Sequence, residues 1–247
     1  MYTAKNFVKV NSADEACELL EKSPRNRIVA GNMWLRLGNS NYNTLIDISA
    51  LELNYIVEED NAIRIGACTT LRDVEKSQIL SKNFNNMFQE VTKAIVGVQF
   101  RNTATIGGNV FLKHGFSDLV TLLLALESKL VFHKAGTINI SDYLKQQIKG
   151  DLLKEIIIKK QQNVEFKSFK VTATDLSMVN VAVTKEVDKI RVAVGARPAV
   201  ADVVEVPIDF TSDRILENFT FGSNIRGSAN YRAIVVKSLL EQCLNCE

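Results

Sequence analysis

The chain has 247 residues, of which 46% are hydrophobic and 23% are charged, and this composition excludes a disordered protein. The net charge is only +2, so no strong field indicates nucleic acid or an anionic membrane as a partner. Two histidines and four cysteines are too few for most metal or iron–sulfur sites, and we predict no metal site. If the protein carries out redox chemistry, its electron carrier is expected to be organic or to lie in another chain.

The sequence gives no sign of a membrane or secretory route. No apolar run reaches the roughly 18–20 residues that a membrane helix needs. The segment Met1–Lys5 lacks the apolar core of a signal peptide. We therefore predict a cytoplasmic protein with no membrane partner. The pair Cys243 and Cys246 has the CxxC spacing, but with no second pair and no nearby histidine it is interpreted as an ordinary tail.

The first 50 residues predict a small β-α-β-β unit. Phe7–Val10 alternates between apolar and polar residues, which is typical of a strand. Ser12 and Glu15 have the spacing of a capping box, which predicts the start of a helix. Ile28–Ala30 and Leu45–Ile48 are short apolar runs that predict two further strands.

Residues 51–163 predict a second unit. Tyr55–Val57 and Ala62–Ile65 flank a polar turn and indicate a hairpin. Leu119–Leu126 is apolar enough to form a buried helix, and Glu155–Ile158 indicates a strand.

The pattern changes after about residue 163. Val164–Phe169, Ser177–Thr184 and Ile190–Val194 predict three antiparallel strands. Two helices are expected to follow, near Ala199–Val204 and over Ser228–Leu244. Strands followed by helices indicate an α+β arrangement.

Two glycine turns are the strongest candidates for a binding site. One is Ala30-Gly31-Asn32, and the other is the Gly107-Gly108 pair within Thr105–Asn109. Glycine lets the backbone approach a ligand closely, and successive amide groups in such turns can bind an anion. Two such turns on two subdomains could hold one diphosphate. Neither the G-x-G-x-x-G nor the GxxxxGK[ST] pattern is present.

The order of these motifs resembles a known family. Arg101–Asn109 reads R-N-T-A-T-I-G-G-N, Ser117 and Asp118 follow, and the tail Ile225–Arg232 reads I-R-G-S-A-N-Y-R. In this order, the motifs make the chain similar to the FAD-binding medium subunit, or domain, of the molybdenum hydroxylases, such as xanthine dehydrogenase and carbon monoxide dehydrogenase. The resemblance extends over almost the whole chain, and the T-I-G-G-N stretch is its most specific part.

The resemblance implies an α+β fold in two domains. Residues 1–163 would form an FAD-binding domain like that of vanillyl-alcohol oxidase (PCMH type), with subdomains of about 1–50 and 51–163. Residues 164–247 would form a C-terminal domain of the carbon monoxide dehydrogenase flavoprotein type, with a three-stranded antiparallel sheet and helices.

The resemblance also implies which residues bind FAD. The first turn would contact the diphosphate and ribityl chain, and the second turn would complete the clamp. Asp118 would accept hydrogen bonds from hydroxyls on the adenosine side, and Ile157 would pack near the cofactor. A lysine would approach the flavin, and the sequence leaves Lys167 and Lys170 open as alternatives. The full set is Val29, Ala30, Gly31, Asn32, Met33, Trp34, Leu35, Ala104, Thr105, Gly108, Asn109, Asp118, Ile157, Lys167 and Lys170.

Three positions depart from the family pattern. Trp34 stands where the family has an acidic residue, and it could pack on or shield the flavin ring. His114 and Gly115 replace a Ser-Pro pair, and an arginine pair is missing around Thr172–Thr174. The change at position 34 affects the polar contacts of the first turn, whereas the other two would alter the access of a nicotinamide or leave flavin binding untouched.

The resemblance implies an oxidoreductase subunit, most like that of xanthine dehydrogenase or another purine or N-heterocycle hydroxylase. A large subunit would hold the molybdenum cofactor, and a small [2Fe–2S] subunit would pass electrons to FAD in this chain. NAD⁺ or another acceptor would receive them, and no side chain here would act as a general acid or base. The alternatives are a stand-alone flavin-dependent oxidase or dehydrogenase, and a cofactor-free assembly protein of the same fold.

Overall fold

The computed structural model describes residues 2–160 and 163–245, which form three β-sheets and the helices around them. The strands are β1 (Thr3–Lys9), β2 (Arg27–Val29), β3 (Asn41–Asp47), β4 (Ile56–Glu58), β5 (Ala62–Gly66), β6 (Lys129–Phe132), β7 (Gly136–Asn139), β8 (Leu153–Lys159), β9 (Asn163–Phe169), β10 (Val179–Lys185), β11 (Lys189–Gly195) and β12 (Asp202–Pro207). The helices are α1 (Ala13–Lys22), α2 (Leu71–Lys76), α3 (Gln78–Asn83), α4 (Met87–Lys93), α5 (Val98–Arg101), α6 (Ile106–Phe111), α7 (Asp118–Ala125), α8 (Ile140–Lys145), α9 (Ser212–Leu216) and α10 (Ala229–Asn245).

The first sheet confirms the predicted β-α-β-β unit. Its strand order is β1-β3-β2, and both pairs are parallel. Helix α1 begins as predicted, because the Ser12 hydroxyl accepts a hydrogen bond from the Glu15 amide at 3.1 Å. The Glu15 carboxylate in turn accepts one from the Asn11 amide at 2.9 Å. These two bonds satisfy backbone groups that the first turn of a helix leaves free.

The second sheet has the order β4-β5-β8-β6-β7 and is antiparallel throughout. Strands β4 and β5 form the predicted hairpin. Helix α7 confirms the predicted buried helix and is buried along its whole length. It lies between this sheet and strands β10 and β11, which explains why it is apolar on every side.

The third sheet has four strands, in the order β12-β11-β10-β9, rather than the predicted three. The extra strand, β12, occupies the place of the helix expected near Ala199–Val204, and that prediction is wrong. Val203, Val204 and Val206 are β-branched, a type that favours extended backbone, and β12 pairs with the otherwise open edge of β11. The predicted long C-terminal helix is confirmed as α10.

Strand β10 is buried on both faces and joins two cores. Val179, Val181 and Val183 face the core shared with α10, whereas Ala182 belongs to the core shared with α7. Residues 161–162, beside the predicted domain boundary, lie outside the described residues, as do Met1, Cys246 and Glu247. Among the described helices, none has the length and hydropathy that crossing a bilayer requires.

Candidate functional site

A cleft of about 720 Å³ lies between the first sheet and the helices that follow β5. Both glycine turns reach it, so the structure brings together the two segments that the sequence singled out. The predicted residues that line the cleft are Ala30, Asn32, Met33, Trp34, Leu35, Ala104, Thr105, Gly108 and Asn109.

The two turns touch through their backbones. Gly31 has φ +57°, in the left-handed region that favours glycine. A Cβ atom at Gly31 would overlap the carbonyl oxygen of Thr103, two residues before the second turn begins. Glycine is therefore needed at position 31 for both its backbone conformation and its lack of a side chain.

The first turn has unused hydrogen-bonding groups. Within residues 2–160 and 163–245, the amides of Gly31, Met33, Trp34 and Leu35 have no acceptor. The Asn32 side chain donates to the Tyr2 hydroxyl at 2.5 Å, but its Oδ1 atom is buried and has no donor in the same part of the chain. Free amides suit an anion, and a lone amide oxygen suits a hydroxyl or an N–H group. The turn therefore fits a diphosphate with polar groups on either side.

The second turn differs from the expectation that it would offer successive free amides. Ile106 donates to the Thr69 carbonyl at 2.9 Å, and Gly107 donates to the Ala67 carbonyl at 2.9 Å. The Gly108 amide donates to the hydroxyl of Thr105 at 3.1 Å. The prediction of an amide nest is therefore wrong for this turn. The second turn instead lines one side of the cleft with small residues.

One end of the cleft adjoins a small pocket of about 40 Å³, and Trp34, Phe100 and Asn109 line both cavities. Asp118 and Lys170 lie in this pocket and form an ion pair at 2.9 Å, with both side chains largely buried. Because one ion pair holds both residues, they belong to the same end of the cleft. Their predicted roles, at the adenosine and at the flavin, place them at opposite ends.

Asp118 is bound on its other oxygen as well. Its Oδ1 atom accepts hydrogen bonds from Ser177 Oγ at 2.5 Å and from Asn180 Nδ2 at 2.7 Å. These donors and Lys170 all come from the segment that runs from the end of β9 into β10. Asp118, at the start of α7, therefore ties the cleft to the third sheet.

The structure separates the two lysines that the sequence left as alternatives. Lys170 lies in the small pocket, whereas Lys167 lies within β9 opposite Val181 and lines neither cavity. Ile157 also lines neither cavity, since it lies in β8 between Arg64 and Lys129. Val29, which ends β2, and Gly31, within the first turn, also line neither cavity.

Four rings pack together where the cleft meets the small pocket. Trp34 lies 5.1 Å from His114, 5.6 Å from Phe116 and 6.4 Å from Phe100, measured between ring centroids. His114 stacks on Phe116 at 4.8 Å. Burial lowers the pKa of His114 below its ordinary value, which favours the neutral imidazole. The two positions that depart from the family pattern, 34 and 114, are therefore in contact.

The sequence analysis missed the opposite end of the cleft. Leu20–Arg27 and Ile148–Leu153 line it. Asp151 shapes the second of these segments by accepting hydrogen bonds from the amides of Lys134, Ala135 and Leu152. A Gly-Asp pair before an apolar strand is the only sequence signal for this turn, and it is a weak one.

Comparisons with known proteins identify the family of this chain. Residues 3–160 match the family described as the FAD binding domain in molybdopterin dehydrogenase. The chain is 27% identical to the glyceraldehyde dehydrogenase medium chain of Sulfolobus acidocaldarius, over 95% of each protein. It is 30% identical to a putative xanthine dehydrogenase FAD-binding subunit, XdhB, of Escherichia coli, over 54% of this chain and 47% of that protein. It superimposes on a chain of carbon monoxide dehydrogenase from Hydrogenophaga pseudoflava with a TM-score of 0.82 and 22% identity, covering 97% and 96% of the two chains.

The chain belongs to the family of FAD-binding domains of molybdopterin dehydrogenases. The predicted family, the α+β flavin-binding fold, FAD as the cofactor and the oxidoreductase class are confirmed. Among the described residues, no three His, Cys, Asp or Glu side chains meet in a way that could hold a metal ion. The individual FAD contacts stay predictions.

Proposed function

We propose that this chain is the flavin subunit of a multi-subunit molybdenum hydroxylase. The observation that carries the proposal is the first turn, which adjoins a cleft of the size that a dinucleotide needs. Among the described residues, four amides of this turn and the buried Oδ1 atom of Asn32 have no hydrogen-bond partner. An apolar cleft with a few convergent polar groups is the usual form of a cofactor site. When bound, FAD would supply electron and hydride transfer.

We assign the two ends of the cleft by charge and by aromatic character. The turn over Gly31–Leu35 would hold the diphosphate. The end with Trp34 and Lys170 would hold the flavin ring, since a buried cation stabilises the negative charge that a ring gains on reduction. The end lined by Ile148–Leu153 would then hold the adenosine. In this assignment, Asp118 would act by fixing Lys170 rather than by binding adenosine hydroxyls.

The proposed domain division keeps the predicted limits. The three sheets lie within residues 3–47, 56–159 and 163–207, so the third sheet begins one residue before the predicted boundary. This division supports two FAD-binding subdomains and one C-terminal domain. The cleft lies between the first two of these, so the cofactor would bridge them.

The proposed partners are a large subunit with the molybdenum cofactor and a small [2Fe–2S] subunit. The name of the archaeal relative, a medium chain, supports an assembly of several subunits. The acceptor would be NAD⁺ or another small oxidant, and the complex would act in the cytoplasm. The relatives include an aldehyde enzyme and a xanthine enzyme, so both substrate classes belong in the activity test.

Reconstitution and native purification test the proposal together. The purified chain is mixed with FAD and desalted, and its visible absorption and flavin content are measured; we expect one FAD per chain. The chain is then purified from its own cells, where molybdenum and an iron–sulfur subunit should co-purify. A colourless chain that takes up no FAD would support the assembly-protein alternative. A yellow monomer that oxidises a small substrate alone would support the stand-alone enzyme.

A further inference from the structure

The loop between α4 and α5 is strained. Val96 has φ +49°, a conformation that β-branched residues rarely adopt because the Cβ substituents crowd the backbone. Ile95 and Val96 line the small pocket beside Trp34 and Lys170. Strained residues at ligand sites persist only where the surrounding structure holds them.

Two cations hold this loop through three successive carbonyl groups. Lys170 Nζ donates to the Ala94 carbonyl at 2.8 Å. One nitrogen of Arg101, Nη1, donates to the carbonyls of Ile95 at 3.1 Å and Val96 at 3.4 Å. The loop is thus fixed from the third sheet on one side and from α5 on the other.

Arg101 is itself fixed by a buried carboxylate. Its side chain is 5% exposed, and its Nε atom lies 2.7 Å from Glu75 Oε2. The second oxygen of Glu75 pairs with Arg72 at 2.6 Å. Burial opposes the charge on Glu75, but the bonds from Arg101 and Arg72 outweigh it and lower the pKa of Glu75 below its ordinary value. Glu75 is therefore ionised and holds the guanidinium in one orientation.

Helix α2, which carries Glu75, is joined to the second glycine turn. The Leu71 amide donates to the Ala104 carbonyl at 2.8 Å, and Ala104 lines the cleft. Neither Glu75 nor Arg101 lines the cleft or the small pocket. An effect of this pair on a bound cofactor would therefore be indirect, and it has two routes: the loop that Arg101 holds, and the contact of α2 with Ala104. Only the first route depends on the backbone conformation of Val96.

We propose that Glu75 and Arg101 are positioning residues for the flavin end of the cleft, which they preorganise by holding the strained loop at Val96. The inference rests on the proposed function, because it takes the ring of FAD to lie at the Lys170 end. Because the loop is already ordered in the apoprotein, FAD binding does not have to order it. The affinity for FAD is therefore higher than it would be with a mobile loop. Without Arg101, the loop would relax away from the left-handed conformation at Val96.

The test is a rescue experiment with R101M and V96G. R101M should lower the affinity for FAD about tenfold, a change of ~1.4 kcal/mol. V96G removes a side chain that lines the small pocket, so its own affinity is the baseline for the double variant. Glycine adopts a positive φ without strain, so the loop no longer needs Arg101 to hold that conformation. In the R101M/V96G double variant, the loss relative to V96G should therefore be at most about twofold, which is the recovery that the inference expects. R101K should be intermediate, since lysine keeps the charge but loses the forked donor geometry.

The affinity is measured by titrating each refolded or native apoprotein with FAD, and the visible spectrum of the bound flavin reports the ring environment. R72Q is the matched control, because it removes the more exposed partner of Glu75 and leaves Arg101 in place. If R101M does not fold, E75Q with and without V96G makes the same comparison.

Three results would overturn the inference: no recovery in the double variant, an R72Q affinity as low as that of R101M, or an unchanged affinity and spectrum in R101M. A wild-type chain that binds no FAD would instead overturn the proposed function, so the two failures are distinguishable.

Discussion

Replacing Gly31 with alanine should damage the cleft more than it damages the rest of the fold. The left-handed backbone at Gly31 costs an alanine about 1–2 kcal/mol. The new methyl group would also overlap the Thr103 carbonyl, so the two turns must move apart. We expect the melting temperature to fall by ~2–4 °C per kcal/mol lost and the affinity for FAD to fall at least ~10-fold. Thermal unfolding of the apoprotein and titration with FAD measure these two effects separately.

Gly136 supplies the matched control for this prediction. It has φ +71°, close to that of Gly31, but nothing lies within 4 Å of the position that its Cβ would take. G136A therefore carries the backbone cost alone, at the first residue of β7, which does not line the cleft. It should lower the melting temperature modestly and leave the affinity for FAD unchanged. The reasoning would be refuted if G31A bound FAD as tightly as the wild type, or if G136A lost as much affinity as G31A.

Three further predictions follow from single side chains. Trp34 is the one tryptophan in the chain and lies in the cleft, so FAD should quench the tryptophan emission; W34F should lose the signal but still bind, and an unchanged emission on saturation would contradict the placement. K170M should lower both the affinity for FAD and the midpoint potential of the bound flavin, whereas K167M should change neither; equal effects in redox titrations would refute the choice of Lys170. Burial and a 2.7 Å hydrogen bond to Glu155 raise the pKa of Tyr55 to about 12. Since the folded state holds this proton more tightly, its contribution to stability should be complete below about pH 10 and lost toward pH 12, and the urea unfolding curves of Y55F should show a smaller loss over that range.

The sequence could predict most of the elements that depend on local patterns. The capping box at Ser12 and the apolar run of α7 each have one physical explanation, and the structure agrees with both. Strand β12 could not be found in the same way, because its apolar residues suit either a helix or a strand. Its pairing with β11 decides the outcome, and that contact is made only in the folded chain.

The same limit applies to the site. Glycine at position 31 could be identified from the sequence, because a tight turn before a helical segment is a local requirement. The sequence could not show that the amides of Ile106 and Gly107 are already hydrogen-bonded within the protein. Their acceptors, the carbonyls of Thr69 and Ala67, come from a different part of the chain. Likewise, the choice between Lys167 and Lys170 depends on which of them reaches Asp118 at the start of α7, about 50 residues away in the chain.

The stretch from Arg101 to Asp118 joins parts of the protein to one another. Arg101 holds the strained loop, Gly107 admits the backbone of Ala67, and Asp118 binds the segment that enters the third sheet. A substitution in this stretch would therefore move the walls of the cleft even where the altered side chain touches no cofactor. In the proposed binding mode, Glu75 and Arg101 shape the cleft without contacting the flavin, whereas Lys170 would do both. Only variants of Glu75 and Arg101 should therefore be rescued by relaxing the backbone at Val96.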